Sequence, residues 1–290
     1  MRSATAASAL VTADEMMKWL RHPLIPSPRI DWWAIIHASK AVVHEESRRS
    51  SFDPPSQREL FLKVGHSRDQ EPCTAGQIMT TLIRKTFSVP PLGCNCSIIG
   101  DPVTKQALVV DPGGAPERIL HEIQVMGLTV KTVLHTHAHF DHFLASGDMK
   151  NATGARLCLH EADRELWSML EIQCRMFGVP YKPVPSPDYW LQDEEKILFG
   201  NVTAIALHTP GHTPGSMSFH FPEGKIVLAG DTLFRGSIGR TDLWGGDFDA
   251  IEASIRDRLY ALDENTIVVT GHGPETEIGL EKESNQFVRA

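Results

Sequence analysis

The sequence predicts a layered α/β protein, on three observations. Short apolar runs of strand character recur from residue 83 onward, helical stretches at 115–126, 162–175 and 250–262 are interleaved with them, and several runs end in a Gly-rich turn bearing a His or an Asp. Alternating strands and amphipathic helices make sheets covered by helices. Polar side chains delivered at strand ends are how a rigid scaffold presents a loop-borne site.

Taken in order, residues 1–81 read as a partly helical N-terminal extension and 82–290 as the catalytic domain. Within the extension, 13–20 reads as a short helix stopped before Pro23, and 31–43 as a second one carrying Trp32, Trp33, Ile35 and Ile36. Their apolar residues are too few for a core of their own, so they are expected to pack on the catalytic body. Residues 45–55, which close on Asp-Pro-Pro, and 67–76 read as loops. In the second part, helix 115–126 precedes a Val-rich strand at 130–134. The strand at 202–207 leads into His208-Thr-Pro-Gly-His212-Thr-Pro-Gly, 225–229 into Gly230-Asp231, and 266–269 into Thr270-Gly271-His272-Gly-Pro. Gly211, Gly215, Gly230 and Gly271 are expected to allow close backbone approach beside these polar residues. No internal repeat of solenoid period is present.

Composition narrows the function classes. A chain of 290 residues with 41% hydrophobic residues can fill a sizeable core. Its net charge of -8 argues against broad nonspecific nucleic-acid binding, which needs a basic face. No apolar stretch approaches the ~20 residues that span a bilayer, so no membrane segment is expected. The five cysteines, Cys73, Cys94, Cys96, Cys158 and Cys174, form no disulfide framework, and the C-x-C pair Cys94/Cys96 reads as ordinary strand residues. With no secretory apolar region at the N-terminus, the expectation is an intracellular, cytoplasmic protein, with an organelle as the alternative.

The strand at 130–134 ends in His137-Ala-His139-Phe-Asp141-His142, four metal-ligand side chains within six residues. Imidazole and carboxylate suit zinc, and also iron or manganese, and residues two apart on extended backbone point the same way. His212, Asp231 and His272 stand at the other strand ends and complete a candidate set.

With THAHFDH, TPGHTPGS, LAGDTLF and TGHGPETEIG in this order, the chain resembles the metallo-β-lactamase-fold hydrolases. GSIGRTDLWGGD at 236–247 and the stretch from Asn95 to Gly114 are most similar to glyoxalase II, the hydroxyacylglutathione hydrolases, and their short bacterial-type relatives. The resemblance covers roughly 82–290. It implies an αββα sandwich of two mixed sheets enclosed by helices. It also implies a binuclear centre with two divalent ions, zinc expected and iron or manganese as alternatives. His137, His139 and His212 would hold one ion, Asp141, His142 and His272 the other, and Asp231 would bridge them. The nucleophile would be a metal-bridging hydroxide, with Asp141 and Asp231 acting through it.

The chemistry agrees with an acyl thioester such as S-lactoylglutathione. Metal-bound water falls to a pKa of about 7, and a departing thiolate, whose parent thiol has a pKa of about 8.5, needs little help from an acid. Arg240, in Gly-Arg-Thr-Asp, is the candidate substrate-binding residue, with an ion pair to Asp242 as the structural alternative. Thr136, Thr209 and Thr213 are candidates to orient the ligands, and His135 and His208 read as strand histidines. Where full-length glyoxalase II has a helical region that recognises glutathione, only a short tail follows Gly-His-Gly-Pro here. The main alternative activity is a persulfide dioxygenase with one iron on His137, His212 and Asp231. Lactonases, β-lactamases and nucleases of the same fold are further ones. A flavodiiron-type redox protein would carry Glu in place of His139, and a metal-retaining scaffold without catalysis is the non-enzymatic alternative.

Overall fold

The computed structural model describes residues 82–289; the helices and loops read in 1–81 lie outside the described residues. The described chain begins as an antiparallel meander of β1 (Ile83–Val89), β2 (Cys94–Gly100) and β3 (Gln106–Val110). Helix α1 (Pro116–Val125) has proline in its first turn, where a missing N–H costs no hydrogen bond, and Ile119 and Ile123 are buried one turn apart on one face. It crosses to β4 (Thr129–Leu134), parallel to β3. The short α2 (Phe140–Phe143) and α3 (Ser146–Thr153) lead to β5 (Arg156–His160). Helices α4 (Arg164–Ser168) and α5 (Leu170–Met176) then lead to β6 (Tyr189–Leu191). These six strands form one mixed sheet in the order β1-β2-β3-β4-β5-β6.

The second sheet takes β7 (Lys196–Phe199), β8 (Val202–His208), β9 (Met217–Phe221) and β10 (Ile226–Gly230). A small hairpin, β11 (Leu233–Phe234) with β12 (Ser237–Ile238), and α6 (Phe248–Ala253) precede β13 (Ile267–Thr270), β14 (Thr276–Glu277) and α7 (Ile278–Ser284). The order is β14-β13-β10-β9-β8-β7, with β10 and β13 parallel.

Alternation along single strands builds four layers. In β3, Leu108 and Val110 point between the sheets and meet Phe199, Phe219, Phe221, Leu228 and Val269. Ala107 and Val109 point the other way, onto Ile119, Ile123 and Met149 of α1 and α3. In β10, Leu228 faces the first sheet while Val227 and Ala229 face Ile251, Ile255, Leu259 and Ile278. A strand covered on both faces must be apolar at every position, which is why these segments lack a polar alternation. The result is the αββα sandwich that the resemblance implies.

Two helices depart from their sequence reading. The stretch 162–175 is not continuous: α4 gives way at Met169, where φ -96 and ψ 9 lie outside helical values, and both Leu166 and Leu170 reach the cluster of Phe140, Phe143 and Leu159. The stretch 250–262 starts earlier, where the Asp247 carboxylate caps Ala250 N–H, and widens into a π-type turn over Ser254–Leu259.

The C-terminal ends of β4, β8, β10 and β13 converge on one edge of the sandwich. There the sheets are tied by Asn95 N–H to Gly271 O (2.7 Å), by Met217 N–H to Thr136 O (2.8 Å), and by a bridge between Cys94 and His272.

Candidate metal centre

The strand ends deliver His137, His139, Asp141, His142, His212, Asp231 and His272 to a single cluster at this edge. Donor atoms of His137, His139 and His212 form one compact group, those of Asp141, His142 and His272 a second, and those of His137, His142 and Asp231 link the two. His212 Nε2 stands 3.0 Å from His139 Nδ1, and His142 Nε2 stands 3.2 Å from His272 Nε2. Asp231 lies between: Oδ1 is 3.5 Å from His142 Nε2, and Oδ2 is 3.5 Å from His212 Nε2 and 3.7 Å from His272 Nε2. Asp141 Oδ2 is 3.2 Å from His272 Nε2.

Local backbone explains how Asp231 gets there. The pairing of β10 with β13 slips between Leu228 and Gly230, and Gly230 takes a φ of +51, which a side chain would resist. A Cβ at Gly230 would also lie 2.5 Å from Thr136 Oγ1, and one at Gly271 would lie 1.9 Å from Asp231 Oδ1. The two glycines let the loops close onto the carboxylate.

Hydrogen bonds settle where the imidazole protons sit. His212 Nδ1 faces the Arg240 carbonyl at 2.8 Å, so Nδ1 donates and Nε2 keeps its lone pair. His142 Nδ1 donates to Asp111 Oδ2 (3.0 Å). Thr136 Oγ1 donates to the same Asp111 oxygen (2.6 Å) and therefore accepts from His137 Nδ1 (3.0 Å). Three Nε2 atoms thus point inward with the outer nitrogen's proton engaged, two of these rings oriented through Asp111, a residue to which the sequence reading gave no role. Asp111 sits at the end of β3 with a φ of 52 and is buried.

The donor set fits divalent metal ions. His137 Nε2 and Asp231 Oδ1 are buried without any hydrogen-bond partner, which is costly unless an ion takes them up. The electrostatics also call for positive charge. Burial and the neighbouring imidazoles push His137 and His139 well below the usual histidine range, and burial pushes His212 down despite Asp231. His142 goes the other way: burial opposes its charge, but the carboxylates of Asp141, Asp231 and Asp111 around it drive its pKa well up. His272 is likewise raised: burial opposes its charge, but Asp231 and Asp141 together outweigh it. A metal ion supplies that charge without a proton. His139, Asp231 and His272 are only partly covered and mark the face through which a substrate would approach.

Residues 89–272 match the family model of the metallo-beta-lactamase superfamily. The chain belongs to this superfamily. The hydroxyacylglutathione hydrolase GloC of Haemophilus influenzae is 40% identical over 198 residues, 68% of this chain and 93% of the relative. The crystal structure of the BLEG-1 B3 metallo-beta-lactamase matches with a TM-score of 0.67 at 36% identity, covering 72% of this chain and 100% of that one. The di-iron-bound form of TTHA1623 matches with a TM-score of 0.65 at 38% identity, over 70% of this chain and 100% of that one. The two sheets and flanking helices are thus those of the metallo-β-lactamase fold, which binds divalent metal.

The remaining sequence-assigned residues sort by their contacts. Arg240 places its carbonyl on His212, while its half-exposed guanidinium is paired with Asp242 (2.7 and 2.8 Å) on the open side near His139. Of the three threonines, Thr136 touches the candidate ligand His137; Thr209 bonds Ser218 and Thr232, and Thr213 bonds Asp163 and Ser216. His135 is a core histidine, bonded to Cys158 O and Ser146 Oγ, stacked on Phe143, and held by burial at a pKa of about 4. His208 donates to the Pro214 carbonyl and stacks on His160. Cys94 and Cys96 are buried strand residues of β2, but Cys94 Sγ comes within 3.4 Å of His142 Nδ1, with burial pushing its thiol up to about 12. Trp167 and Trp190 pack on the cluster holding Ala138, Phe140 and Phe143, next to the ligand loop. Among the described residues no helix is long and apolar enough to cross a membrane.

Proposed function

We propose that this chain is a binuclear metal-dependent hydrolase, glyoxalase II-like, that cleaves an acyl thioester of the S-lactoylglutathione type. The observation that carries the reading is Asp231, whose Oδ1 stands 3.5 Å from His142 and whose Oδ2 stands 3.5 Å from His212, one residue of each donor group. A carboxylate straddling two donor groups is suited to two ions held together. His137, His139 and His212 would hold one ion and Asp141, His142 and His272 the other, with zinc the proposed metal, since imidazole and carboxylate suit it, and iron or manganese the alternatives. Bound divalent ions supply Lewis acidity and lower the pKa of water to about 7.

The chain's own residues supply the rest. Asp111, through Thr136 for His137, and the Arg240 carbonyl hold the imidazole protons of His142, His137 and His212 on the outer nitrogens, which leaves their inward Nε2 atoms to serve as ligands. Cys94 keeps its proton and packs behind His142. A thiolate leaving group, of parent pKa about 8.5, departs without a dedicated acid. Arg240 stands on the open side and is proposed to meet an anionic part of the substrate by opening its exposed pair with Asp242. The similarity to a hydroxyacylglutathione hydrolase supports the thioester class.

The test combines metal analysis by mass spectrometry, thiol release from S-lactoylglutathione, and oxygen uptake with glutathione persulfide, all on one protein sample. Two ions per chain with thiol release is the expected result. One iron with oxygen uptake would overturn it in favour of the dioxygenase on His137, His212 and Asp231.

A further inference from the structure

Asp163 is outside the candidate ligand set, yet its side chain is fully buried beside it. Its Oδ2 accepts from Ala138 N–H (2.9 Å) and from Thr213 Oγ1–H (2.9 Å), and its Oδ1 accepts from Gly215 N–H (2.6 Å). Ala138 lies between His137 and His139, while Thr213 and Gly215 directly follow His212. The carboxylate therefore joins the two loops that carry the three-histidine group.

We infer that Asp163 is a positioning residue, a clasp that fixes the 137–139 loop against the 212–215 loop and so sets the geometry of His137, His139 and His212 for a metal ion. The inference rests on the proposed reading of these histidines as metal ligands. Its neighbourhood is built around the contact. A Cβ at Gly215 would come within 2.7 Å of Asp163 Cγ and Oδ1, so only glycine lets that loop reach the carboxylate. From the other side, Gln173 in α5 donates to Ala138 O (3.2 Å) and accepts from Phe140 N–H (3.0 Å), but the contact to the 212–215 loop falls to Asp163. Burial raises the Asp163 carboxyl to about 6 even with its three donors, so it is an acceptor at neutral pH.

Asparagine cannot replace it. Each carboxylate oxygen receives a backbone N–H, so whichever way the amide is turned, its NH₂ meets another donor. The loops must then part. Asp101 offers the matching control: it too is fully buried and accepts three hydrogen bonds, but from Val103, Thr104 and Asn201, away from the ligands.

The experiment follows the withdrawal of metal by a colorimetric chelator from zinc-loaded wild-type, Asp163→Asn, Gly215→Ala and Asp101→Asn proteins, with thermal melting recorded on each. The expected result is that Asp163→Asn and Gly215→Ala each accelerate the loss of one of the two ions by about tenfold or more, in the range seen when a partner of a metal ligand is removed. Asp101→Asn is expected to lower the melting temperature and leave both withdrawal rates unchanged. Unchanged rates in both Asp163→Asn and Gly215→Ala would overturn the clasp, as would acceleration of both ions matched by Asp101→Asn. Should Asp163→Asn not fold, Thr213→Val removes one of the three bonds and is read the same way. Wild-type protein that takes up fewer than two ions overturns the two-metal reading itself, a result separate from failure of the clasp.

Discussion

Two neighbouring strands each end in a buried aspartate, β2 in Asp101 and β3 in Asp111, and the two carboxylates serve different ends of the sandwich. Asp101 accepts from Val103 N–H (2.9 Å), Thr104 Oγ1–H (2.6 Å) and Asn201 N–H (2.8 Å), stitching the turn of one sheet to the turn of the other. Asp111 accepts from Thr136 N–H (2.8 Å), Thr136 Oγ1–H (2.6 Å) and His142 Nδ1–H (3.0 Å). At the Asp101 corner the bonds close among protein groups. At the Asp111 edge they aim imidazoles inward and leave His137 Nε2 and Asp231 Oδ1 unpartnered. The same device, a buried acceptor at a strand end, stabilises the fold at one edge and prepares a site at the other.

The sharpest way to break this contrast is Asp231→Ala, which removes the carboxylate shared by both donor groups. It is expected to deplete bound metal and lower turnover by at least about a thousandfold, because Lewis-acid stabilisation amounts to several kcal/mol. Normal turnover with both ions retained, measured by mass spectrometry and thiol release, would remove Asp231 from the centre. Asp111→Ala comes next: freeing the His142 and His137 rings should weaken metal affinity by about 10–100-fold, read by competition with a chelator. Equal weakening by Asp101→Asn would erase the distinction between the two edges.

Asp101→Asn should instead appear as a stability change with a defined pH window. Burial alone would raise this carboxyl, but the Thr104 hydroxyl and the N–H groups of Asn201, Val103 and Thr104 bring it down from 3.8 to about 2. A depressed folded pKa means stability that is present above the unfolded value and lost as pH falls through the folded one. The wild-type advantage over Asp101→Asn, about 1–3 kcal/mol for buried acceptors, should therefore hold above pH ~4 and shrink towards pH ~2, followed by denaturant titrations of chelated protein. An advantage that persists at the lowest pH would contradict the assignment. The smallest effect belongs to Arg240→Ala. Its exposed pair with Asp242 should contribute ~0–1 kcal/mol to stability, while KM for an anionic thioester should rise about threefold with kcat unchanged. Unchanged KM would leave Arg240 as a scaffold residue acting through its carbonyl.

The sheets, the covering helices and the clustering of the candidate ligands were legible because each rests on a local pattern. An apolar run followed by a Gly-rich turn with His or Asp announces a strand end at β8, β10 and β13, and β4 runs straight into the dense His/Asp cluster of 137–142. Asp111 follows the same rule, standing after Val109-Val110 and before Pro-Gly-Gly, so the signal that finds the ligands would also have found it. Asp163 has no such mark: in sequence it is an acid at a helix start, and its partners lie 25, 50 and 52 positions away. Thr209 and Thr136 look alike beside their histidines, yet only Thr136 meets a candidate ligand, His137, because the other turns towards Ser218 and Thr232. The break at Met169 was hidden for a similar reason, since the apolar spacing around it suits one helix and packing against Phe140 and Phe143 produces two.

The candidate ligands are also dispersed along the polypeptide. His137, His139, Asp141 and His142 come after β4 in the first sheet, while His212, Asp231 and His272 belong to loops of the second. During synthesis four of the seven side chains emerge together, and the last waits for another 130 residues. A ribosome-bound chain can therefore offer an incoming ion only a partial cage until β13 has been made. A protease cut that released everything from residue 271 onward would remove His272 and leave the four-residue cluster whole.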